Sequence, residues 1–268
     1  MTAAVTRAVG VDVGGSKIAA GIVDTGTGEV QRLHVEPTQA SLGGRFVLER
    51  CGRLVAELNR DRLPIGVGLC ELIDRDGQIR SGVTVDWRRL DVAAALGTVT
   101  LESDVRAAAL AEARFGAGRG KESFLYLSIG TGVAHTLVLG GQPYRGAHGY
   151  ALMVGAPPIE FTSSGAALTT AAGTDPRTAL NEPAHRDLLD SAGQSLGQAL
   201  AFLIHALDPE VVVIGGGLGL NPRYRSRIAE AARGYLYADR LAETPILAAG
   251  LGTSAGVVGA ALTAAPHI

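Results

Sequence analysis

The chain has 268 residues, of which 47% are apolar and 19% charged, with a formal net charge of −2. That composition supports one large or two modest folded domains and excludes extended disorder. No lysine or arginine run offers a platform for nucleic acid, and no apolar stretch of about 18 residues offers a membrane span. Cys51 and Cys70 lie far apart and form no CxxC pair. This argues against a disulfide framework and a cysteine-built zinc site, and for a reducing cytoplasm. The opening residues, MTAAVTRAVG, lead directly into an apolar strand without a secretory leader pattern.

In chain order, AVGVDV (8–13) reads as a strand, Gly14-Gly15-Ser16 as a tight turn and KIAAGIVD (17–24) as a second strand. After a turn at Thr25–Gly28, EVQRLHVEP gives a third. Residues 45–59 place Phe46, Val47, Cys51, Leu54, Val55 and Leu58 on one helical face. PIGVGLC (64–70) predicts a buried strand, DRDG (74–77) a turn, TVTLES (98–103) a strand and VRAAALAEARF (105–115) a helix ended by glycines. About 115 residues after the first opening the pattern recurs: FLYLSI (124–129), Gly130-Thr131-Gly132, VAHTLVL and the turn Gly140-Gly141. A helical face from Leu189 to Leu207, a strand at 211–217, a helix over 222–237, a strand at 245–248 and a helix from about 253 complete the chain. The repeat predicts two α/β domains, 1–104 joined by the C-terminal helix 253–268, and 105–252, with a ligand cleft between them.

Three glycine turns end apolar strands: Gly14-Gly15, Gly130-Thr131-Gly132 and Gly215-Gly216-Gly217. Any one could be a simple hairpin turn; three together point to backbone N–H groups that face an anion, hence to a nucleotide. None matches a P-loop or a dinucleotide fingerprint. Asp12, inside an apolar strand, either bonds neighbouring backbone or faces a metal bound to phosphate. Lys17 either assists there or faces solvent. Asp104, at a strand-to-helix junction, either caps the helix or performs chemistry.

DVGGSKIAAGIVD, ESDVRAAALAEARFGAGRG, LYLSIGTGVAHTLVLGG, YRGAHG, VVVIGGGLG and GLGTSAGVVGAAL, in this order, resemble the ROK family of sugar kinases, repressors and relatives. The resemblance implies the two-domain actin-like ATPase fold, a duplicated ribonuclease-H-like architecture, with ATP and acceptor in the interdomain cleft. It makes DVGGSK (Asp12, Gly14, Gly15, Ser16, Lys17) the first phosphate motif, Gly130–Gly132 the second and Gly215–Gly217 the adenosine motif. It makes Asp104 the catalytic base, Asp12 the anchor of an ATP-bound Mg²⁺, and the protein a homodimer. Transfer of the γ-phosphoryl group to a hydroxyl then needs in-line positioning and charge neutralisation.

The chain departs from the family on the acceptor side. Met153 and Ala156 stand where the family has a Glu and a His that touch the sugar near C1 and C2. Ser103 replaces an Asn, Arg106 follows two beyond the base, Glu71 replaces a glycine close to the sugar, and the cysteine-rich zinc loop is missing. Acceptor contacts are therefore expected from Glu71, Ser103, Asp104, Arg106, Met153 and Ala156, with no zinc site. Glu71 pairs either with an ammonium group on the acceptor or with Arg106. The expected activity is an ATP-dependent kinase for a modified polyol, an amino sugar such as kanosamine or a C7 cyclitol. A glucokinase-like hexose kinase and a non-catalytic ligand-binding relative are the alternatives. The chain begins at the first strand, which argues against a DNA-binding repressor.

Overall fold

The computed structural model describes residues 7–87, 89–152 and 159–265. It divides into two compact units, one running to Phe115 with Arg145–Ala151 and the segment from Ser254, the other formed by Gly116–Tyr144 and Leu152–Thr253.

The first unit is built on a five-stranded sheet of β1 (Arg7–Val13), β2 (Lys17–Asp24), β3 (Val30–Pro37), β4 (Ile65–Leu69) and β5 (Val99–Ser103), ordered β3-β2-β1-β4-β5. The first three strands form an antiparallel meander, and β4 and β5 add in parallel. Period-two alternation sorts the side chains. Val9, Val11, Val13, Val67 and Leu69 share a core with α1 (Gly44–Leu58), through Val47, Cys51, Leu54 and Leu58, and with α2 (Val92–Leu96). The opposite face carries Gly10, Asp12, Gly66 and Gly68. Here α3 (Asp104–Phe115) and α10 (Ala255–Ala264) lie against the sheet, almost all alanine, valine and glycine on their buried sides.

That contact is backbone to backbone. A Cβ at Gly10 would stand 2.0 Å from the Val257 carbonyl oxygen, and one at Gly66 1.7 Å from that of Ala260. Between the helices themselves, a Cβ at Gly259 would stand 1.8 Å from the Ala107 carbonyl oxygen. Small residues on both partners are therefore required, and they bring the N-terminal turns of α3 and α10 against the sheet.

The second unit repeats the plan with β6 (Ser123–Ile129), β7 (Val133–Leu139), β8 (Gln142–Pro143), β9 (Val212–Gly215) and β10 (Ile246–Ala248), ordered β10-β9-β6-β7-β8. Read from the other edge, this is the strand order of the first sheet. Its core joins Leu125, Leu127 and Ile214 to α7 (Arg186–Leu207) and α8 (Pro222–Arg233) through Leu196, Leu200, Ile204 and Ile228. Four shorter helices complete it: α4 (Ile159–Ser163), α5 (Gly165–Ala172), α6 (Pro176–Ala179) and α9 (Asp239–Ala242). Among the described residues no helix is long and apolar enough to cross a membrane.

Two sequence expectations shift. The units divide after Phe115 rather than at 104, because α3 packs on α10 and stays with the first sheet, and Arg145–Ala151 returns to the same unit. The helix over 222–237 stops at Arg233, where Gly234 follows and Tyr235 turns aside to accept a hydrogen bond from Gln194 at 2.9 Å.

Gly66→Ala forces a methyl group into the Ala260 carbonyl. Overpacking of this kind costs about 1–3 kcal/mol; with backbone as the obstacle, we expect a loss at or above ~3 kcal/mol by urea denaturation. A loss under ~0.5 kcal/mol would show that α10 can lift from the sheet.

Candidate active site

In the first unit, the C-terminal ends of β1, β4 and β5 bring together Asp12, Cys70 and Asp104. Asp12 projects on the α3/α10 face because it alternates with Val11 and Val13. Between it and Asp104 lies Gly68 of the intervening strand. A Cβ there would sit 3.8 Å from Asp12 Oδ1 and 3.5 Å from the Asp104 Cα. Gly256, in the first turn of α10, closes on Asp12 from the other side, leaving only 2.2 Å between a notional Cβ and Oδ2. The two carboxyl groups thus occupy a pocket of missing side chains.

Asp104 opens α3, its Oδ1 accepting from the Val105 N–H at 2.7 Å. Burial, then the nearby Asp12 charge, push its carboxyl up to about 7, against bonds from Val105 and Ser103 that favour the ionised form. Burial lifts Asp12 to about 6, with Lys17 pulling the other way. Asp104 is therefore poised to accept a proton near neutral pH. The Cys70 thiol, overlooked in the sequence, is driven well above its ordinary range by burial beside Asp104 and Glu71 and stays protonated. Its signal was positional: it shares the strand parity of Gly68.

The first glycine turn is closed by Gly14 N–H to the Lys17 carbonyl at 2.9 Å. Buried Thr38 ties it down, its hydroxyl donating to the Gly14 carbonyl at 2.6 Å and its N–H to the Ser16 carbonyl at 3.0 Å. The sequence held no signal for Thr38. The Asp12 carboxylate accepts no hydrogen bond among the described residues, so it suits a hydrated Mg²⁺ carried by a nucleotide, an ion that needs only one or two protein oxygens. Among the described residues no group of three or more His, Cys, Asp or Glu could hold a metal.

In the second unit, the two remaining glycine loops are tied to Ile129 and its neighbours. Gly165 and Ala166, in the first turn of α5, donate to the Gly130 and Thr131 carbonyls at 2.8 and 3.0 Å. Leu218 and Gly219 donate to the Ile129 carbonyl at 2.9 and 3.1 Å. Gly216 has φ +80, and a Cβ there would strike Ile129 backbone at 2.5 Å, so glycine is required on both counts. The N–H groups of Gly15, Gly132 and Gly217 make no hydrogen bond among the described residues, the condition an incoming phosphate needs.

The acceptor-side expectations fare differently. Glu71 pairs neither with Arg106 nor outward. Its buried carboxylate accepts from the Ser81 hydroxyl and from Val83, Thr84 and Val85 N–H at 3.1, 2.9 and 2.9 Å, fixing the loop after β4. Arg106 is buried to 1% exposure and spent within the fold, on Glu102, Gly149 and Ile73. Neither presents a free group to an acceptor. Ser103 is buried beside Asp104, and Met153 and Ala156 lie outside the described residues.

A family model described as the ROK family matches residues 8–266. The chain is 31% identical, over 96% of its length, to the bifunctional enzyme NanE/NanK of Brucella melitensis, and spans 53% of that protein. It therefore covers about half the length of that curated relative. Among solved structures it is similar to a ROK family glucokinase from Streptomyces griseus in complex with glucose and AMPPNP, with a TM-score of 0.83, 25% identity and coverage of 96% and 99%. A ROK hexokinase from Thermus thermophilus gives a TM-score of 0.71 at 35% identity, with 96% and 97% covered. The architecture of both units is that actin-like ATPase fold.

Because Asp12 and Asp104 bind protons more tightly folded than at the ordinary carboxyl value of 3.8, stability falls as pH rises from about 4 to about 7 and then levels. Asp104→Asn keeps the acceptor for Val105 N–H and removes one titration. Its urea midpoint should match wild type near pH 4 and exceed it at pH 8; a gap independent of pH would mean that Asp104 is not raised.

Proposed function

The chain belongs to the ROK family, and we propose that it transfers the γ-phosphoryl group of ATP to a hydroxyl of a sugar-like polyol. The observation that carries this reading is the Asp12–Asp104 pair: two half-buried carboxyl groups flanking Gly68, one raised to about 7 and the other without a hydrogen-bond partner among the described residues. Asp104 takes the proton of the acceptor hydroxyl as its oxygen bonds to phosphorus and the bond to ADP breaks. Gly15, Gly132 and Gly217 N–H groups hold phosphate oxygens and the adenosine side. Asp12, with Lys17 near it, would hold the Mg²⁺ that accompanies the nucleotide. When bound, that ion would supply charge neutralisation on the phosphates.

For the acceptor, the reading is a modified polyol, an amino sugar or C7 cyclitol, supported by Met153 and Ala156 in place of the family's Glu and His and by Ser103 in place of its Asn. Glu71 is no partner for an ammonium group on the acceptor, since its carboxylate is satisfied inside its own loop. Glucose is the second reading, favoured by the S. griseus likeness, whose structure holds glucose.

ADP release from Mg·ATP is to be followed with glucose, 3-amino-3-deoxyglucose and a C7 cyclitol. We expect kcat/KM for one of the latter two to exceed that for glucose; glucose ahead by about tenfold sinks the modified-acceptor reading and leaves the kinase standing. Asp104→Asn should lower kcat about 10²-fold or more. Wild-type kcat/KM should rise with pH up to about 7, following ionisation of the base. Turnover unchanged in a folded Asn variant would remove Asp104 from the chemistry.

A further inference from the structure

Arg106 is the largest fully buried side chain among the described residues, and its position is informative. It stands two residues after Asp104, in the first turn of α3. Nε donates to Glu102 Oε1 at 2.7 Å, Nη1 to the Gly149 carbonyl at 2.6 Å and Nη2 to the Ile73 carbonyl at 2.7 Å, with Nη2 also against Glu102 Oε1. Glu102, two residues before Asp104 on β5, uses its other oxygen on Arg145. Four segments meet at one guanidinium–carboxylate pair: the end of β5, the start of α3, the strap after β4 and the excursion Arg145–Ala151.

A buried ion pair is a poor source of stability, because desolvation offsets most of the attraction. Its strength is geometric: a planar guanidinium has five donors in a fixed fork and tolerates little displacement of its acceptors. The excursion is pressed close as well. Gly149 has φ +86, and a Cβ there would meet the Asp74 Cα at 2.7 Å. The strap is independently stiffened by Asp74, whose carboxylate accepts from Asp76 and Gln78 N–H at 2.9 and 2.8 Å. Strap and excursion both border the end of β5 where Asp104 sits.

We propose that Arg106, with Glu102 as its counter-ion, is a positioning residue that holds the Ile73 strap and the Arg145–Ala151 excursion in register with Asp104, and so sets affinity for the acceptor but not for ATP. This rests on the kinase reading for its substrate arm only. The spacing Glu102-x-Asp104-x-Arg106 makes the coupling direct, since the base lies between the two halves of the clamp.

The test is Arg106→Lys in the full chain, a change that keeps charge and cannot reach three acceptors at once. Backbone hydrogen exchange without substrate should speed about tenfold or more at 145–151 and 72–75, and stay unchanged at 130–132 and 215–219. With Mg·ATP and whichever of glucose, 3-amino-3-deoxyglucose or the cyclitol wild type accepts, acceptor KM should rise about tenfold, with KM for ATP within about twofold and kcat within about threefold. Unchanged exchange at 145–151, or acceptor and ATP KM rising together, overturns the proposal. If Arg106→Lys does not fold, Arg145→Ala removes the half-exposed arm, and an unchanged acceptor KM there overturns it equally. A wild type inert toward every acceptor would sink the kinase reading, while the exchange experiment still decides the clamp.

Discussion

The close approach of α3 and α10 to the first sheet is the constraint from which the site follows. Gly10 and Gly66 let α10 touch the strand backbones, and Gly259 sets it against α3. This proximity desolvates Asp12 and Asp104, while two further glycines, Gly68 and Gly256, leave room for their carboxyl groups. Burial then raises both acids, and their mutual repulsion adds to the shift at Asp104. The free energy needed to hold two carboxyl groups there is supplied by the larger apolar face around α1, where Val47, Leu54, Val67 and Leu69 are all essentially inaccessible. One face of the sheet stabilises; the other is arranged for chemistry.

Much of this was legible in the sequence because it is written in local pattern. Apolar runs ending in glycine located β1, β6 and β9, and the spacing of Leu189 through Leu207 located the long α7. The paired openings revealed the duplication, which the matched strand orders of the two sheets bear out. Two to eight residues suffice for β8, α2, α4, α5, α6 and α9, too few for a period to declare itself. The course of Arg145–Ala151 back to the first unit was equally hidden, since only tertiary contacts define it.

The site was legible in its charges and less so in their partners. Asp12 and Asp104 stood out as acids at the ends of strands. Glu71 and Arg106 stood out just as clearly, and the suggestion that they pair with each other was wrong. Strand register decides the matter. Glu71 lies beyond the end of β4 and meets the N–H groups of its own loop, while Arg106, in the first turn of α3, folds back onto Glu102 near the end of β5, four residues earlier. Nearness in the chain favours the second pairing; it says nothing of the first, which depends on how residues 72–85 fold back.

The duplication puts the Glu71 finding in a wider frame. Strand β4 occupies in the first sheet the place that β9 occupies in the second, so Cys70-Glu71 and Gly216-Gly217 are topological equivalents. After β9, glycine at φ +80 folds the chain onto the Ile129 backbone and leaves the Gly217 N–H unpaired among the described residues. After β4, a glutamate carries its own anion into the loop and saturates three backbone N–H groups and a hydroxyl. Oriented backbone donors attract negative charge whether it arrives on a ligand or on a side chain. In the second unit Leu218 and Gly219 turn inward to the Ile129 carbonyl and leave the Gly217 N–H unpaired among the described residues; in the first the donors are consumed by Glu71, and the loop becomes a fixed wall beside Asp104. The two halves thus end equivalent strands in loops with different backbone donors satisfied, and the difference rests on whether glutamate or glycine stands second after the strand.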